Sequence, residues 1–136
     1  AVSGDPLEPG QILMAPGNED HLVIAPHGRR CRLVPGPPMS GHRPSVDMLF
    51  HSAAALGQDA VGVILTGMGR DGAEGLLAMR RAGAITFAQD RESSTVYGMP
   101  RAAMELQAAE QEMPISKLAS ALIVAAARSN AGVSHA

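Results

Sequence analysis

The fold is decided by residues 61–75, which read VGVILTGMGRDGAEG. The segment opens with a continuous apolar run from Val61 to Leu65, rich in β-branched residues, which predicts a strand covered on both faces. A glycine-rich turn from Thr66 to Gly75 follows, and a helix is predicted to continue to about Ala82. Open α/β sheets bind ligands at such a place, between the carboxyl end of a strand and the N-terminus of a helix. The segment therefore predicts an α/β fold and a candidate site together.

The chain after this segment continues the alternation of strands and helices. Ala84 to Ala88 predicts the next strand, and Asp90 to Thr95 predicts a polar loop. A helix is predicted to begin at Met99-Pro100 and to run to about Gln107. The last predicted helix begins with Ser116 as its N-cap. Its predicted apolar face consists of Leu118, Leu122, Ile123 and Ala126.

The first part of the chain predicts shorter elements. A buried strand is predicted at Gln11 to Ala15. A hairpin is predicted from His21 to Ala25 and from Cys31 to Val34, around a glycine-containing turn. Pro35 to Pro44 is too rich in proline and glycine for a regular element. A helix is then predicted to start at Pro44 and to stop at Gly57.

This order of elements predicts an α/β fold with a doubly wound, mostly parallel sheet flanked by helices and a short hairpin near the N-terminal part. All 136 residues are assigned to one domain, in which residues 1–10 and 128–136 are expected to be loose. The chain begins at Ala1, without an initiator methionine, in a loop-like stretch. We therefore expect it to be part of a longer protein, and its fold to be part of a larger domain.

The composition excludes several classes of function. Only 2% of the residues are aromatic and the formal net charge is −2, so the chain lacks the stacking platforms and the positive field of a nucleic-acid binder. The longest apolar run, Ala121 to Ala127, is far short of the roughly 20 residues that a membrane helix needs. The single cysteine, Cys31, forms no internal disulfide and no zinc pattern, which favours a cytoplasmic location. We expect neither a nucleic-acid partner nor membrane insertion.

Two interpretations of the glycine-rich turn follow from the residues alone. In the first, the glycines only turn the chain, and Asp71 caps the following helix in an arrangement with Glu74 that resembles a capping box. In the second, Gly67 to Gly72 matches the G-x-G-x-x-G pattern of a dinucleotide site, with Asp90 as the ribose ligand. Against the second, Asp71 would lie close to the pyrophosphate.

A third interpretation comes from blocks of sequence along most of the chain. They are MAPG at 14–17, HL at 21–22, HRPSVDMLF at 42–50, GVILTGMGRDG at 62–72, AQD at 88–90 and GMPRA at 98–102. In this order they closely resemble the catalytic domain of CheB-type protein-glutamate methylesterases, from about Gln11 to Ala127. Because the long HRPSVDMLF and TGMGRDG blocks are individually specific, the resemblance displaces the dinucleotide interpretation.

The resemblance implies a hydrolase of bacterial chemotaxis with a Ser-His-Asp mechanism. It would demethylate glutamate methyl esters on chemoreceptors, and some members also deamidate receptor glutamines. The resemblance assigns the catalytic acid to Asp71 and puts Met68, with Gly67 and Gly69, in a loop that contributes to an oxyanion pocket. The nucleophilic Ser and the catalytic His of the family precede the matched region. We therefore expect this chain to hold one member of the triad and to be inactive alone.

The resemblance also implies the partners. They are the cytoplasmic helices of methyl-accepting chemoreceptors and a response-regulator receiver domain in the parent protein. No cofactor and no metal is expected. The alternative functions are that of a non-catalytic receptor-binding fragment and, ranked below it, that of a dinucleotide-binding α/β domain that uses Gly67 to Gly72.

Other candidate residues are given lesser roles. His42 and Arg43 are expected near the rim of the site, where they position substrate or support the structure. Cys31 is expected to be a packing residue. The remaining histidines are expected to be surface, packing or tail residues: His21, His27, His51 and His135.

Overall fold

The computed structural model describes residues 1–134, with side chains up to residue 128. Strands β1 (Asp20–Ile24) and β2 (Cys31–Pro35) precede helix α1 (Val46–Ala53) and a 3-10 helix (Ala54–Asp59). Strand β3 (Val61–Ile64) leads to α2 (Ala73–Arg81), and β4 (Ile85–Gln89) leads to α3 (Met99–Glu105). Strand β5 (Gln111–Met113) and the long helix α4 (Ile115–Ser134) follow.

Strands β3, β4 and β5 form a parallel sheet in that order, with helices on both faces. On one face, Ile64 and Ala88 pack with Leu76 of α2 in a cluster that residues of α1 and α3 also line. On the other face, Phe87 packs with Leu118 of α4. Neighbouring residues of a strand point to opposite faces, so Phe87 belongs to one cluster and Ala88 to the other. The predicted doubly wound α/β class is confirmed.

Helices α1 and α2 approach each other closely, and this contact positions the candidate site. At Gly75 of α2, an added Cβ would lie 2.6 Å from Cβ of Phe50 and 3.2 Å from Cα of Asp47. The first distance is shorter than any ordinary contact of a Cβ atom, so a side chain larger than hydrogen does not fit without a shift of the helices. Gly75 therefore allows the first turns of the two helices to touch.

The predicted hairpin is confirmed, because β1 and β2 pair antiparallel with His21 opposite Val34. The strand predicted at Gln11 to Ala15 is wrong. Ile12 is 90% exposed and Met14 is 74% exposed. The chain segment that lies along the hairpin is an earlier one, because Gly4 N–H donates to the carbonyl of Cys31 at 2.9 Å and Leu7 N–H donates to Arg29 at 2.9 Å. Apolar residues at 11–15 thus have no ladder to join.

Residues 1–10, expected to be loose, make further hydrogen bonds to the same hairpin. Asp5 accepts from Cys31 N–H at 2.9 Å, and the Arg30 guanidinium donates to the carbonyl of Gly4 at 2.7 Å. The segment is tied to β2 and the turn before it. The other segment expected to be loose, 128–136, includes the end of α4 as far as Ser134. His135 and the final residue lie outside the described residues.

Three predicted helix boundaries differ from the structure. Helix α1 has Ser45 as its N-cap, so Pro44 lies just outside it. Gly57 falls inside the 3-10 helix that extends α1, where it has a positive φ of 55°. Ser116 lies within α4, which begins at Ile115, and is therefore not its cap.

The predicted buried face of α4 is half right. Leu118 is 3% exposed and Leu122 packs beside it, whereas Ile123 is 71% exposed and Ala126 is exposed. The helix is apolar around much of its circumference, so spacing alone does not select the face. Among the described residues, no helix is both long and apolar enough to cross a membrane.

Candidate active site

The glycine-rich loop between β3 and α2 is anchored at its start. Thr66 N–H donates to Oε1 of the buried Gln89 at 2.8 Å, and the Thr66 hydroxyl exchanges two hydrogen bonds with the backbone of Val96. Gly67 N–H donates to the carbonyl of Val96 at 3.0 Å, and its own carbonyl accepts from Met99 N–H at 2.8 Å. The hydrogen bonds of Thr66 and Gly67 therefore extend the pairing of the sheet by one residue pair beyond β3, towards the start of α3.

Asp71, the predicted catalytic acid, is buried with only 3% of its surface exposed. Its Oδ1 accepts from the Ser45 hydroxyl at 2.8 Å and from Asp47 N–H at 3.0 Å. Its Oδ2 accepts from Val46 N–H at 2.8 Å. The two backbone donors belong to the first turn of α1, where helix N–H groups have no partner within the helix. Asp71 therefore caps α1, from a loop that is distant in sequence.

Asp47 makes the reverse connection. This residue of α1 is also 3% exposed, and its Oδ1 accepts from Gly75 N–H in the first turn of α2 at 2.8 Å. Its Oδ2 accepts from the Ser40 hydroxyl at 2.8 Å. The positive ends of two helices thus stabilise two buried carboxylates. Neither of the ion pairs found among the described residues involves Asp47 or Asp71.

These contacts correct both interpretations of the glycine loop made from the residues alone. Helix α2 has Gly72 as its N-cap, with a positive φ of 95°. The Asp71 carboxylate accepts from Ser45, Val46 and Asp47 and from no N–H of α2, so Asp71 does not cap its own helix. Glu74 lies instead 4.0 Å from the Arg70 guanidinium on the surface. A dinucleotide phosphate would find one N–H group at the N-terminus of α2, that of Gly75, already bound to the Asp47 carboxylate, and this negative charge disfavours a phosphate there. Asp90 is likewise engaged, since its Oδ1 accepts from the Ser93 hydroxyl at 2.6 Å.

Met68 stands at the apex of the loop, with 77% of its surface exposed. Its backbone N–H donates to no acceptor within the described part of the chain. Gly69 follows with a positive φ of 90°, a conformation that favours glycine. The loop thus contains a backbone N–H without an acceptor among the described residues, three positions before the buried carboxylate of Asp71.

His42 and Arg43 lie on the surface beside this loop. A Cβ added at Gly69 would lie 3.8 Å from Nε2 of His42, so the imidazole flanks the loop. The Arg43 guanidinium donates to the carbonyl of Gly36 at 3.0 Å. The structure thus brings His42 to the rim, whereas Arg43 turns to support the preceding loop.

Three buried residues near the glycine loop were given no individual role by the sequence reasoning: Ser45, Asp47 and Gln89. The buried His21 was expected only to be a surface or packing residue. Ser45, His21 and Asp71 lie together, but they do not form a nucleophilic triad. The Ser45 hydroxyl donates to Asp71, and Nδ1 of His21 accepts from the backbone N–H of Ser45 at 3.1 Å. The signal for Ser45 and Asp47 was their place in the HRPSVDMLF block. His27 and His51 are exposed, in line with their predicted place on the surface.

Two titratable groups near the loop have shifted pKa values. Hydrogen bonds from the hydroxyl and the backbone of Ser93 lower the pKa of Asp90. Burial raises the pKa of Tyr97 to about 12, and the hydrogen bond and negative charge of Glu112 add to this effect. Both groups lie in the segment between β4 and α3, which flanks Thr66 and Gly67. A change in either pKa would therefore indicate a change in the structure of this edge of the sheet.

Comparisons with known proteins agree with this geometry. A family model described as CheB methylesterase matches residues 1–122. Similar proteins are a protein-glutamate methylesterase/protein-glutamine glutaminase 1 of Caulobacter vibrioides, 57% identical over 125 residues, and a protein-glutamate methylesterase/protein-glutamine glutaminase of Gluconobacter oxydans, 55% identical over 128 residues. Each match covers 90% of this chain, which spans 36% of the length of each relative.

A solved structure has the same fold. The crystal structure of the Thermotoga maritima CheB methylesterase catalytic domain superposes with a TM-score of 0.83 at 33% sequence identity. The match covers 90% of this chain and 66% of that domain. By sequence and by fold, the chain belongs to the CheB methylesterase family.

Proposed function

We propose that this chain supplies the acid and the oxyanion loop of a Ser-His-Asp hydrolase that removes methyl groups from glutamate methyl esters of chemoreceptors. The names of the relatives include both methylesterase and glutaminase activities, which supports ester hydrolysis and glutamine deamidation at one site. The serine and the histidine would come from other residues of the whole protein. This chain alone is inactive in the proposal.

The observation that carries the proposal is the environment of Asp71. A carboxylate offers about four acceptor positions, and the contacts described above fill two on Oδ1 and one on Oδ2. One position on Oδ2 remains for the N–H of a histidine ring. The donors already in place fix the orientation of the carboxylate. Such an acid sets the tautomer of a catalytic histidine and stabilises its cationic form.

The chemistry follows the acyl-transfer scheme of serine hydrolases. The histidine takes the proton of the serine hydroxyl as its oxygen attacks the ester carbonyl, and the negative charge develops on the carbonyl oxygen. The backbone N–H of Met68, which Gly67 and Gly69 flank, is the proposed donor to that oxygen. Methanol leaves with the proton from the histidine, or ammonia leaves when the substrate is glutamine. Water then releases the glutamate and regenerates the serine.

The proposed substrate is a polypeptide, the cytoplasmic helices of a methyl-accepting chemoreceptor. Leu65, Met68 and Val96 surround the loop and are 45%, 77% and 42% exposed. This apolar rim, with His42 beside it, suits contact with a helix better than with a small solute. The parent protein would act in the cytoplasm, under the control of a receiver domain.

The test of the proposed acid is Asp71→Asn in the full-length protein, with methanol release from methylated receptor as the readout. We expect turnover to fall on the order of 10³- to 10⁴-fold, because the amide no longer stabilises the histidinium. Asp59→Asn, at an exposed carboxyl in the 3-10 helix, is the matched control and should leave turnover unchanged. A folded Asp71→Asn protein with wild-type turnover would remove Asp71 from the mechanism.

A binding test separates the alternative function. This chain and its Met68→Asp variant are mixed with immobilised receptor cytoplasmic helices. Retention that Met68→Asp abolishes supports recognition through the loop. Retention together with wild-type turnover of full-length Asp71→Asn favours a receptor-binding fragment without a catalytic role.

A further inference from the structure

We infer that His21 is a positioning residue for the reaction: it fixes Ser45 and, through Ser45, the carboxylate of Asp71. The inference rests on the proposed function, in which Asp71 is the acid. His21 lies on β1, in the hairpin, and its side-chain hydrogen bonds go to Pro37 and Ser45. Its ring is only 2% exposed.

The hydrogen bonds of His21 define a single tautomer. A backbone N–H can only donate, so the bond from Ser45 N–H to Nδ1 at 3.1 Å requires Nδ1 to carry no proton. Nε2 lies 2.8 Å from the carbonyl oxygen of Pro37, which can only accept, so Nε2 carries the proton. Both bonds are satisfied at once by the neutral ring protonated at Nε2. The ring thus ties β1 to the loop that contains Pro37 and to the start of α1.

Ser45 passes this restraint on to Asp71. Its backbone N–H is held by His21, while its hydroxyl donates to Oδ1 of Asp71 at 2.8 Å. The same hydroxyl oxygen accepts from Met48 N–H at 3.4 Å, so both the donor and the acceptor capacity of Ser45 are used. A shift of the Ser45 backbone therefore moves one donor of the carboxylate and tilts the first turn of α1, which supplies the other two.

The consequence for the reaction is one of orientation. The three hydrogen bonds to Asp71 fix its carboxylate, and they therefore set the direction of the free acceptor position on Oδ2. Misplacing a catalytic group by about 1 Å can cost on the order of 100-fold in rate. We therefore expect loss of the His21 bonds to lower kcat, with little effect on KM, because His21 is buried away from the exposed rim.

The first experiment is nuclear magnetic resonance of the full-length protein. Imidazole nitrogen shifts should identify His21 as protonated at Nε2 and unprotonated at Nδ1, with a coupling across the hydrogen bond from Ser45 N. In His21→Leu, the amides of Ser45, Val46 and Asp47 should exchange at least about tenfold faster, because their common support is lost. A ring protonated at Nδ1, or unchanged exchange of these three amides, would overturn the inference.

The second experiment is kinetic, in the full-length protein. His21→Leu keeps about the same volume and should lower kcat about 10- to 100-fold with KM within about twofold. His21→Gln, whose amide offers both an acceptor and a donor, should recover a large part of kcat. His51→Leu, at an exposed histidine of α1, is the matched control and should leave kcat unchanged. A folded His21→Leu protein with wild-type kcat contradicts the inference.

Two further results keep the outcomes distinct. If His21→Leu does not fold, the tautomer of the wild-type ring and the kcat of His21→Gln decide. A kcat of His21→Gln as low as that of a Ser45→Gly variant contradicts the inference, because the amide would then fail to replace the ring. If Asp71→Asn retains turnover, the proposed function fails while the tautomer and exchange results still test the link from His21 to Ser45. Loss of kcat in Asp71→Asn without loss in His21→Leu refutes only the inference.

Discussion

Asp47 and Asp71 each cap the helix to which the other is attached. Asp71 precedes α2 and binds the first turn of α1, whereas Asp47 lies in the first turn of α1 and binds Gly75 N–H in α2. Each helix N-terminus is therefore completed by a carboxylate that the other segment provides. The proposed acid of the reaction and a purely structural carboxylate are parts of one arrangement.

This arrangement predicts that Asp47→Ala destabilises the chain. Removing the carboxylate leaves the buried N–H of Gly75 without its acceptor, which should lower the free energy of unfolding by about 1–3 kcal/mol. Urea unfolding of the chain measures the change. Glu74→Ala, in the same turn of α2 but with an exposed side chain, should change it by less than about 0.5 kcal/mol. Equal losses in the two variants would show that Asp47 does not serve as a cap.

The contact between the glycine loop and the start of α3 predicts a contrast between two glycines. A Cβ at Gly98 would lie 2.6 Å from the carbonyl oxygen of Gly67 and 3.1 Å from the nitrogen of Gly69, both backbone atoms. A Cβ at Gly67 would meet the sulfur of Met99, at the flexible end of a side chain. Gly98→Ala should therefore lower the free energy of unfolding by about 1–3 kcal/mol, and Gly67→Ala by less. The reverse order in urea unfolding contradicts the packing described here.

Tyr97 is the only tyrosine of the chain, and the chain has no tryptophan, so its ionisation can be followed directly by ultraviolet absorbance. Its phenol should titrate with a pKa of about 12, because burial and the Glu112 carboxylate disfavour the phenolate. The folded pKa lies above the unfolded value of about 10. The contribution of Tyr97 to the free energy of unfolding is therefore fully present below that value and is lost as the pH rises through about 12. Glu112→Gln should lower the pKa of Tyr97, and Glu110→Gln, at an exposed neighbour, should not.

The loop after β4 predicts a shift of opposite direction. Ser93 donates to Asp90 from its hydroxyl at 2.6 Å and from its backbone at 3.0 Å, and these bonds lower the pKa of the carboxyl. A lowered folded pKa stabilises the fold above the unfolded value, and this stabilisation is lost as the pH falls through the folded pKa. Ser93→Ala should raise the pKa of Asp90 in a carboxyl-detected titration. Ser94→Ala, whose hydroxyl binds only the Asp90 backbone, should leave it unchanged.

The sequence predicted the elements that have strong local patterns. The run from Val61, the glycine turn and the alternation after it led to the parallel sheet and to the loop that holds Asp71. Local patterns gave wrong predictions where a residue that is distant in sequence determines the structure. The Asp71–Glu74 spacing suggests a cap on α2, but the acceptor is used by Ser45, Val46 and Asp47.

The same physical reason explains the errors in the elements. Gln111 and Glu112 form an edge strand because β4 offers them a ladder, although their polar side chains carry no strand signal. The segment around Ile12 is the opposite case. Its sequence is typical of a strand, but residues 4–7, and not residues 11–15, lie along the hairpin. For Ile123, the apolar pattern of α4 fits two faces, and only packing against Phe87 selects one. The hydrogen bonds of the buried His21 gave no signal in the sequence, because their partners are backbone groups of Pro37 and Ser45.

The burial of Cys31 has a practical use for studying the loop. Its thiol is the only one in the chain, is 2% exposed and donates to the carbonyl of Val2 at 3.4 Å, so reagents in solution reach it poorly. A cysteine introduced at Met68 would then be the single accessible attachment point in this chain, on a loop whose first residues, Thr66 and Gly67, are held by hydrogen bonds to Val96 and Met99. A spin label or fluorophore there would follow the approach of a binding partner without the need to remove any native cysteine.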